Sequence, residues 1–374
     1  MKYYIIAGEA SGDLHGSNLI RELKKKDSSA EFRCWGGDLM KSQGAVLVKH
    51  YRELAFMGFF EVVANLRTIL RNLNFCYSDI TSWKPDAVIL IDYPGFNLRV
   101  ATFAKKAGIK TIYYISPQVW AWKESRVKRI RRDVDKMLVI LPFEKDFYAK
   151  HNLQVDFTGH PLLDAVGAQQ WSGPGWRKRQ NIPEGTPVIA LLPGSRTQEI
   201  NMMLPAMLEA CDQLSGYCIV VAAAPSQDLD LYRGHIANRK NVKVVQGETY
   251  ALLEQSAAAM VTSGTATLET ALFNVPQVVC YKGNPVSYWL ARRLVKVKFI
   301  SLVNLIMGRE VVKELIQSEM RPLQLLKELK RLLETEAGDE MKRQYAELKL
   351  KLGGGGASAR ASEIISDFLK HRRP

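Results

Sequence analysis

The sequence lacks the features that mark a secreted or membrane-spanning protein. Its five cysteines show neither C-x-x-C spacing nor a disulfide framework, so we predict small buried thiols in a reducing compartment. No uninterrupted apolar run approaches the roughly 18 residues of a membrane span, and the apolar N-terminus is too short for a signal peptide. We therefore expect a cytoplasmic protein that can still lie against a membrane.

The sequence also lacks familiar nucleotide and metal signatures. The dinucleotide fingerprint G-x-G-x-x-G and the P-loop motif are absent, and the six histidines have no metal-ligand spacing. Asp-x-Asp triplets occur at 133–135 and 228–230, and such a triplet can bind a divalent metal that carries a nucleotide-sugar. The first precedes its strand, and the second resembles the acidic first turn of a helix. We interpret both as structural and predict no metal and no cofactor.

What the sequence does have is enough apolar residues for a core and an excess of positive charge. Of 374 residues, 47% are hydrophobic, and the formal net charge is +14. A basic protein attracts anionic partners, which include nucleic acid, anionic lipid headgroups and phosphorylated substrates. The excess of positive charge does not distinguish among these partners, and a solvated basic surface without a partner explains the charge equally well.

Short apolar runs alternate with helical patterns and predict an α/β fold with parallel sheets. The predicted strands are 3–7, 87–91, 111–115 and 137–141, then 188–192, 217–223, 242–245, 258–262 and 277–281. A stretch rich in Gly, Pro and polar residues, 167–187, separates the two sets. We predict an N-terminal domain over 1–170, a C-terminal domain over 171–350, and over 351–374 a helix that packs back on the body. Two such sheets imply a ligand cleft between them.

Polar residues follow two of the predicted strands in the first half. Glu9, Ser11 and Asp13 follow the strand 3–7, at the end where open αβ sheets bind ligands. Asp92 ends the buried run 87–91, and a carboxylate at such a strand tip can have a raised pKa and act as a general base. Asp92 can also cap a helix that starts near Phe96. From the sequence, the roles of general base and helix cap are about equally supported.

A loop with two tryptophans follows the strand 111–115. Trp120 and Trp122 form either a lid on the core or a surface for sugar or acyl chains. Basic residues then crowd the segment 123–132. Such a run is usually a solvated helix face, but beside tryptophans it can also meet anionic lipid or nucleic acid.

The second half carries two turns that suit a nucleotide diphosphate. Gly194, Ser195 and Arg196 end a strand and open a helix, where free N–H groups and a guanidinium can bind phosphate. The segment 263–269 (SGTATLE) repeats this design, and Glu269 lies about one helical turn on, within reach of a ribose diol. One such turn is weak evidence, but two in successive βα units of one domain indicate a nucleotide diphosphate.

Eight short segments, taken in their order along the chain, resemble one family. They are 8–13 (GEASGD), 92–97 (DYPGFN), 116–122 (SPQVWAW), 141–144 (LPFE), 159–161 (GHP), 192–196 (LPGSR), 263–269 (SGTATLE) and 301–305 (SLVNL). Together they resemble the lipid-A-disaccharide synthase family over nearly the whole chain. The resemblance implies a GT-B fold of two Rossmann-like domains, with the last helices crossing back to the N-terminal domain. It also implies transfer of diacylglucosamine from UDP to the 6-hydroxyl of diacylglucosamine 1-phosphate, with inversion.

The residue patterns and the resemblance together give the expected roles of individual residues. The expected catalytic residues are Asp92 as the base, Glu9 and Arg196. The residues expected at the UDP donor are Gly194, Ser195, Arg196, Ser263, Gly264, Thr265, Glu269, Tyr281 and Asn304. Those expected at the lipid acceptor are Ser11, Asp13, Asn97, Trp120, Trp122, Phe56, Met57 and Phe60. Family members often carry a second acid where this chain has Gly95, so we expect no paired-carboxylate mechanism in this segment.

The segment 54–75 suggests how the protein reaches lipid substrates. Its apolar stripe at helical spacing favours core packing, but Phe56, Met57 and Phe60, here called the Phe56 patch, add apolar bulk near its start. Together with basic residues elsewhere, the patch predicts peripheral binding to anionic lipid on the inner face of the inner membrane. The sequence leaves a homodimer open, and we expect no nucleic-acid partner.

Two alternative functions compete with this hypothesis. One is another UDP-sugar enzyme on the same fold, such as an undecaprenyl-lipid N-acetylglucosaminyltransferase or an epimerase, which the ordered N-terminal segments disfavour. The other is a noncatalytic basic protein that binds nucleic acid or membrane. That alternative explains the charge but neither the two phosphate-type turns nor Asp92 at its strand tip.

Overall fold

The chain divides into two compact units, and each is described by itself. The computed structural model describes residues 1–54, 66–167, 170–237, 239–284, 288 and 297–370. Unit 1 comprises Met1–Asp164 and Leu352–Pro374, and unit 2 comprises Ala165–Lys351. The first division falls before the predicted boundary at 170, and the second lies next to the predicted boundary at 350. The ligands assigned to the two domains remain predictions.

Within its described part, unit 1 contains a parallel sheet of seven strands. They are β1 (Lys2–Ala7), β2 (Glu31–Gly36), β3 (Val46–His50), β4 (Ala87–Ile91), β5 (Lys110–Tyr114), β6 (Lys136–Val139) and β7 (Asp156–Phe157). The order β3-β2-β1-β4-β5-β6-β7 means that the chain reverses its direction across the sheet between β1 and β4. At such a reversal the loops diverge and leave a crevice at the carboxyl ends of the strands.

The central strands of unit 1 form where consecutive residues are apolar, so that the side chains on both faces of the sheet are apolar. Ile5 and Ile6 in β1, like Val88 and Ile89 in β4, have no exposed surface. Helices cover both faces, so these strands read as continuous apolar runs rather than alternating ones. The described helices are α1 (Ala10–Lys26), α2 (Asp38–Ser42), α3 (Leu66–Trp83), α4 (Pro94–Lys106), α5 (Val119–Trp122), α6 (Val127–Asp133), α7 (Glu144–Ala149) and α8 (Leu162–Val166), of which α8 spans the division.

Unit 2 repeats this architecture with a parallel sheet of six described strands. They are β8 (Val188–Leu192), β9 (Cys218–Ala223), β10 (Val242–Gln246), β11 (Ser256–Thr262), β12 (Gln277–Tyr281) and β13 (Lys313–Ile316). Their order is β10-β9-β8-β11-β12-β13, so the reversal lies between β8 and β11. The described helices are α9 (Trp176–Arg179), α10 (Thr197–Cys211), α11 (Leu229–Ile236), α12 (Thr249–Glu254), α13 (Thr265–Leu272), α14 (Leu302–Met307), α15 (Pro322–Glu334) and α16 (Ala337–Lys351).

All the predicted strands are present, with small differences at their ends, but four strands were not predicted. These are β2, β3, β7 and β13. Charged residues interrupt β2 and β13, β3 lies at the edge of its sheet, and β7 has two residues. Such strands form because a neighbour supplies their hydrogen bonds, so their own apolar pattern is weak.

The stretch that separates the two sets of strands is packed rather than open. Trp176 in α9 is 2% exposed and belongs to the core of unit 2, and its indole N–H donates to the Glu248 carboxylate at 2.6 Å. The composition of 167–187 therefore marks a division of the chain but does not make all of it a linker.

The final helix, α17 (Ala357–Lys370), returns to unit 1, as the sequence predicted. It packs along α1 through a stripe that includes Ala361 and Ile365, neither of which is exposed. The Asp164 carboxylate caps α17 by accepting the N–H groups of Gly356, Ala357 and Ser358. Positive φ angles at 353, 354 and 356 turn the chain there, which explains the run of glycines before the helix.

Two predictions about the chain as a whole can be compared with the structure. All five cysteines are buried and unpaired, which confirms their interpretation as small core residues. Among the described residues, no helix is long and apolar enough to cross a membrane.

Candidate active site

The carboxyl edge of the unit 1 sheet brings two acids onto adjacent strands. Ala7 at the end of β1 pairs with Ile91 at the end of β4, so the two strand tips are level. Glu9 follows the first tip and Asp92 follows the second. Because β1 and β4 flank the reversal in strand order, both acids lie at the crevice where open αβ sheets bind ligands.

Asp92 has the electrostatics of a base that works near neutral pH. Its side chain is open to solvent, but the surrounding protein removes enough hydration to raise the pKa of the carboxyl to about 7, and the negative charge of Glu9 adds to the rise. A general base is most effective when its pKa lies near the working pH. The alternative role as a helix cap does not hold, because α4 begins at Pro94 with Tyr93 as its N-cap residue.

The glycines of the segment 8–13 have packing roles beside these acids. A side chain at Gly8 would overlap the ring of Tyr93, which lies across the tip of β1. A Cβ at Gly12 would come within 2.9 Å of the Ala7 Cβ, so glycine lets α1 approach the sheet closely. This segment is therefore partly a packing motif.

Asp13 has a structural role, which corrects the prediction that it contacts the acceptor. Its buried carboxylate accepts the backbone N–H groups of Gly37, Leu39 and Met40 at 2.7, 3.1 and 3.0 Å and so holds the start of α2. A buried acid that is satisfied in this way is not available to a ligand. Ser11, in the first turn of α1, is half-buried, and its contact with the acceptor remains a prediction.

Asn97 is also buried, which corrects its assignment to the acceptor site. Its Nδ2 lies 2.7 Å from the Asp92 carbonyl oxygen, 3.1 Å from that of Ile91 and 3.4 Å from that of Ile6. The amide therefore ties the tip of β4 to β1 and supports the turn that carries Asp92.

Trp120 is held by Glu144, a buried acid of the segment 141–144 for which no role was predicted. The Trp120 indole N–H donates to Glu144 at 3.3 Å, and its ring meets Phe143 edge-on at 5.0 Å. Burial raises the pKa of Glu144 to about 7, and the carboxylate also accepts the N–H groups of Ile140 and Leu141. The sequence signal for Glu144 was its position, three residues after the end of the predicted apolar strand 137–141.

Part of the predicted acceptor site cannot be compared with the structure. The Phe56 patch and the Trp122 side chain lie outside the described residues. Their roles remain predictions.

In unit 2 the first phosphate-type turn follows β8 at the reversal in strand order. Gly194 has a φ of +113°, and a Cβ there would come within 2.6 Å of Glu199. Glu199 accepts the Ser195 N–H at 3.1 Å and pairs with the exposed Arg196 at 3.2 Å. Glu199, in the first turn of α10, shapes this turn and was not among the residues predicted from the sequence.

The second turn follows β11, which is the neighbour of β8 in the sheet. Val261 pairs with Leu192, so the two turns leave adjacent strand tips. Gly264 and Thr265 are exposed, while the Ser263 hydroxyl donates to the Ile300 carbonyl at 2.9 Å. A nucleotide diphosphate that bound here would meet two helix N-termini, each of which favours anions.

Three further residues were predicted to bind UDP, and two of them follow or end strands of this sheet or lie in the helix after the second turn. Burial raises the pKa of Glu269, whose carboxylate accepts the Tyr250 hydroxyl at 2.8 Å. Tyr281 ends β12, and burial and then the charge of Glu199 raise its pKa. Asn304 is fully buried, and in the described contacts its side chain bonds to the backbone of Val311 and Val312 and to Glu314, which corrects its assignment to UDP.

The acids of both Asp-x-Asp triplets make local contacts within the protein. Asp133 pairs with Arg132 at 2.7 Å, and Asp135 pairs with Lys105 at 2.6 Å. Asp228 caps α11, and Asp230 pairs with Arg233. Within the described ranges no group of three or more His, Cys, Asp or Glu residues could hold a metal ion.

Comparison with solved structures identifies the fold. The chain is similar to the UDP-GlcNAc 2-epimerase from Neisseria meningitidis bound to UDP-GlcNAc, with a TM-score of 0.70, 14% identity and 100% of both chains covered. It is also similar to the glycosyltransferase of kitacinnamycin, with a TM-score of 0.68, 16% identity and 98% and 99% of the two chains covered. These neighbours support the predicted GT-B fold, but they do not distinguish a glycosyltransferase from an epimerase.

Comparison of sequences makes that distinction. The family model "Lipid-A-disaccharide synthetase" matches residues 3–368. The lipid-A-disaccharide synthase of Myxococcus xanthus is 38% identical over 98% of this chain and 97% of that protein, and the one from Syntrophus aciditrophicus is 40% identical over the same shares. The chain therefore belongs to the lipid-A-disaccharide synthase family of glycosyltransferases.

Proposed function

We propose that the chain transfers diacylglucosamine from UDP-2,3-diacylglucosamine to the 6-hydroxyl of 2,3-diacylglucosamine 1-phosphate, with inversion. The products are lipid A disaccharide 1-phosphate and UDP. The observation that carries the proposal is Asp92, a carboxyl with a pKa of about 7 at the crevice of unit 1, in a member of this family.

The chemistry starts at the acceptor hydroxyl, which is a weak nucleophile until a base takes its proton. Asp92 accepts that proton while the hydroxyl oxygen bonds to the anomeric carbon of the donor. The bond from that carbon to the UDP oxygen breaks, and UDP leaves with the electron pair. Displacement from the opposite face inverts the anomeric centre, and Asp92 is left neutral.

Glu9 assists without touching the proton. Its charge helps to raise the pKa of Asp92 and so makes Asp92 a stronger base than an ordinary aspartate. Gly95 leaves room for a side chain, since a Cβ there meets nothing within 4 Å, but this chain supplies no second acid at that point.

The two turns of unit 2 suit the departing UDP. We expect Arg196 and the N–H groups at the starts of α10 and α13 to stabilise negative charge on the pyrophosphate. Glu269 is held by the Tyr250 hydroxyl, and we expect its carboxylate to accept hydrogen bonds from the ribose hydroxyls. This arrangement supports donor binding by residues 171–350, acceptor binding by residues 1–170, and leaving-group stabilisation without a metal.

The lipid substrates place the reaction at a membrane surface. We propose that the protein works on the cytoplasmic face of the inner membrane and binds anionic lipid through basic residues and the Phe56 patch. The net charge of +14 supports this arrangement.

The test is incubation of the purified chain with both lipid substrates, followed by mass analysis of the lipids and assay of UDP. We expect a disaccharide 1-phosphate and one UDP for each disaccharide, with the β configuration by NMR if the donor is α-linked. Incubation with UDP-N-acetylglucosamine alone is the control, because an epimerase would convert it without an acceptor. Failure to form the disaccharide, or epimerisation of the control substrate, would contradict the proposal.

A further inference from the structure

The backbone that carries Asp92 is strained. Asp92 and Tyr93 have φ angles of +42° and +48°, and Ile115 at the adjacent tip of β5 has a φ of +66°. Residues with a Cβ rarely adopt this left-handed region, least of all a β-branched one. Such strain persists only where the surroundings determine the conformation, and it concentrates at functional sites.

Buried donors hold this strained turn in place. The Tyr113 hydroxyl donates to the Asp92 carbonyl oxygen at 2.5 Å, and the Asn97 amide donates to the same oxygen at 2.7 Å. On the other side, the Asp92 N–H donates to the Ile115 carbonyl at 3.3 Å. Tyr113 and Asn97 have no exposed surface, so both donors are buried and have no access to water as an alternative partner.

We infer that Tyr113 and Asn97 are positioning residues that hold the Asp92 turn so that its carboxylate stays beside Glu9 at the crevice. Neither residue needs to touch substrate. With both lone pairs of the Asp92 carbonyl occupied, the peptide plane cannot rotate to an unstrained conformation without breaking two hydrogen bonds from buried donors. This inference rests on the proposed function only for its effect on turnover.

The variant Tyr113→Phe tests the inference because it keeps the ring and removes the hydroxyl. The first measurement is the titration of the Asp92 carboxyl by ¹³C NMR, with its signal assigned by its loss in Asp92→Asn. In wild type we expect a midpoint near 7. In Tyr113→Phe the turn relaxes, the carboxyl moves away from Glu9 towards water, and the midpoint should fall by about one pH unit or more. An unchanged midpoint in the folded variant would overturn the inference, whatever the enzymatic activity.

The second measurement is turnover. A displaced base should lower kcat by roughly 10- to 100-fold with little change in KM, since misplacement of about 1 Å can cost that much. The acid limb of the pH–rate profile should move to lower pH along with the NMR midpoint. A fall in thermal stability with an unmoved pH profile would mean that Tyr113 is only a core residue, and would refute the inference.

Tyr4→Phe is the matched control. Tyr4 is equally buried in the same sheet, and its hydroxyl donates to Asp79 and accepts from Trp35. Its loss should destabilise unit 1 at least as much as Tyr113→Phe but leave the Asp92 titration unchanged. If Tyr113→Phe fails to fold, Asn97→Ser removes the other donor and should shift the titration in the same direction.

The two proposals fail in different ways. Turnover near the wild-type value in Asp92→Asn would remove Asp92 from the mechanism, yet the NMR titration would still decide whether Tyr113 holds the turn. Loss of turnover in Asp92→Asn, with a normal rate and pH profile in Tyr113→Phe, would refute the positioning role alone.

Discussion

Replacing Asp92 with Asn should lower activity and raise stability at the same time. The change keeps the size of the side chain and removes its charge. A general base typically contributes 10²–10⁴-fold to turnover, so we expect kcat to fall by roughly that factor. UDP affinity should stay near normal, because the residues assigned to UDP lie in unit 2.

The stability change follows from the sign of the pKa shift. An ordinary aspartate has a pKa of 3.8, whereas Asp92 has a pKa of about 7 in the folded protein. The folded state therefore binds the proton more tightly than the unfolded state. Stability should therefore fall as the pH rises from about 4 to 7, and the neutral Asn should avoid that loss. A shift of this size corresponds to about 4 kcal/mol, and because the Asp92 side chain is open to solvent, screening makes this value an upper bound on the loss.

The assay combines turnover from pH 5 to 9 with urea unfolding at about pH 4 and pH 8. Wild-type kcat/KM should rise through a pKa near 7 as the base loses its proton. The variant should be more stable than wild type at the higher pH and equal to it at the lower. Asp86→Asn is a matched control, because Asp86 precedes β4 at its opposite end and accepts the Lys2 N–H. Near-wild-type turnover in the folded variant would exclude Asp92 as the base, and a wild-type acid limb near pH 4 would exclude a base with a raised pKa.

Three further predictions concern the donor site, the metal and the membrane. Arg196→Ala and Glu269→Ala should each weaken UDP binding by about 1.5–3 kcal/mol in calorimetry. The control Arg239→Ala breaks an ion pair elsewhere in unit 2 and should leave UDP binding unchanged. Unchanged affinity in both site variants would mean that the donor site is misplaced. EDTA should leave turnover unchanged, and strong inhibition that magnesium reverses would show that a metal takes part. A variant with all three residues of the Phe56 patch changed to serine should co-sediment less with anionic vesicles than wild type. Equal binding by the folded variant would exclude the patch as the anchor. If wild type does not bind the vesicles even at low salt, the membrane role itself is excluded.

Much of the architecture was predictable because it rests on local patterns. Buried parallel strands are continuous apolar runs, so β4, β8 and β12 were predicted with their observed ends. Residues that follow such strands lie at the carboxyl edge of the sheet by necessity, so the strand pattern alone predicts Glu9 and Asp92 at one edge. The turns at Gly194 and Gly264 were visible for the same reason, since positive φ angles at strand ends favour glycine.

Only the tertiary structure decided which polar residues near those strand ends are open to a ligand. Asp13, Asn97 and Asn304 lie in the family segments as plainly as Asp92 does, yet each is buried and bonded to backbone groups. The partners of Asp13, which are N–H groups at the start of α2, and one partner of Asn97, the carbonyl of Ile6, come from elements distant in sequence and adjacent only once the sheet is assembled. The strand order acts in the same way, because β1 borders β4 through packing rather than sequence proximity. A sequence therefore determines where a side chain leaves the backbone, whereas its exposure, charge neighbours and pKa depend on what the rest of the chain packs against it.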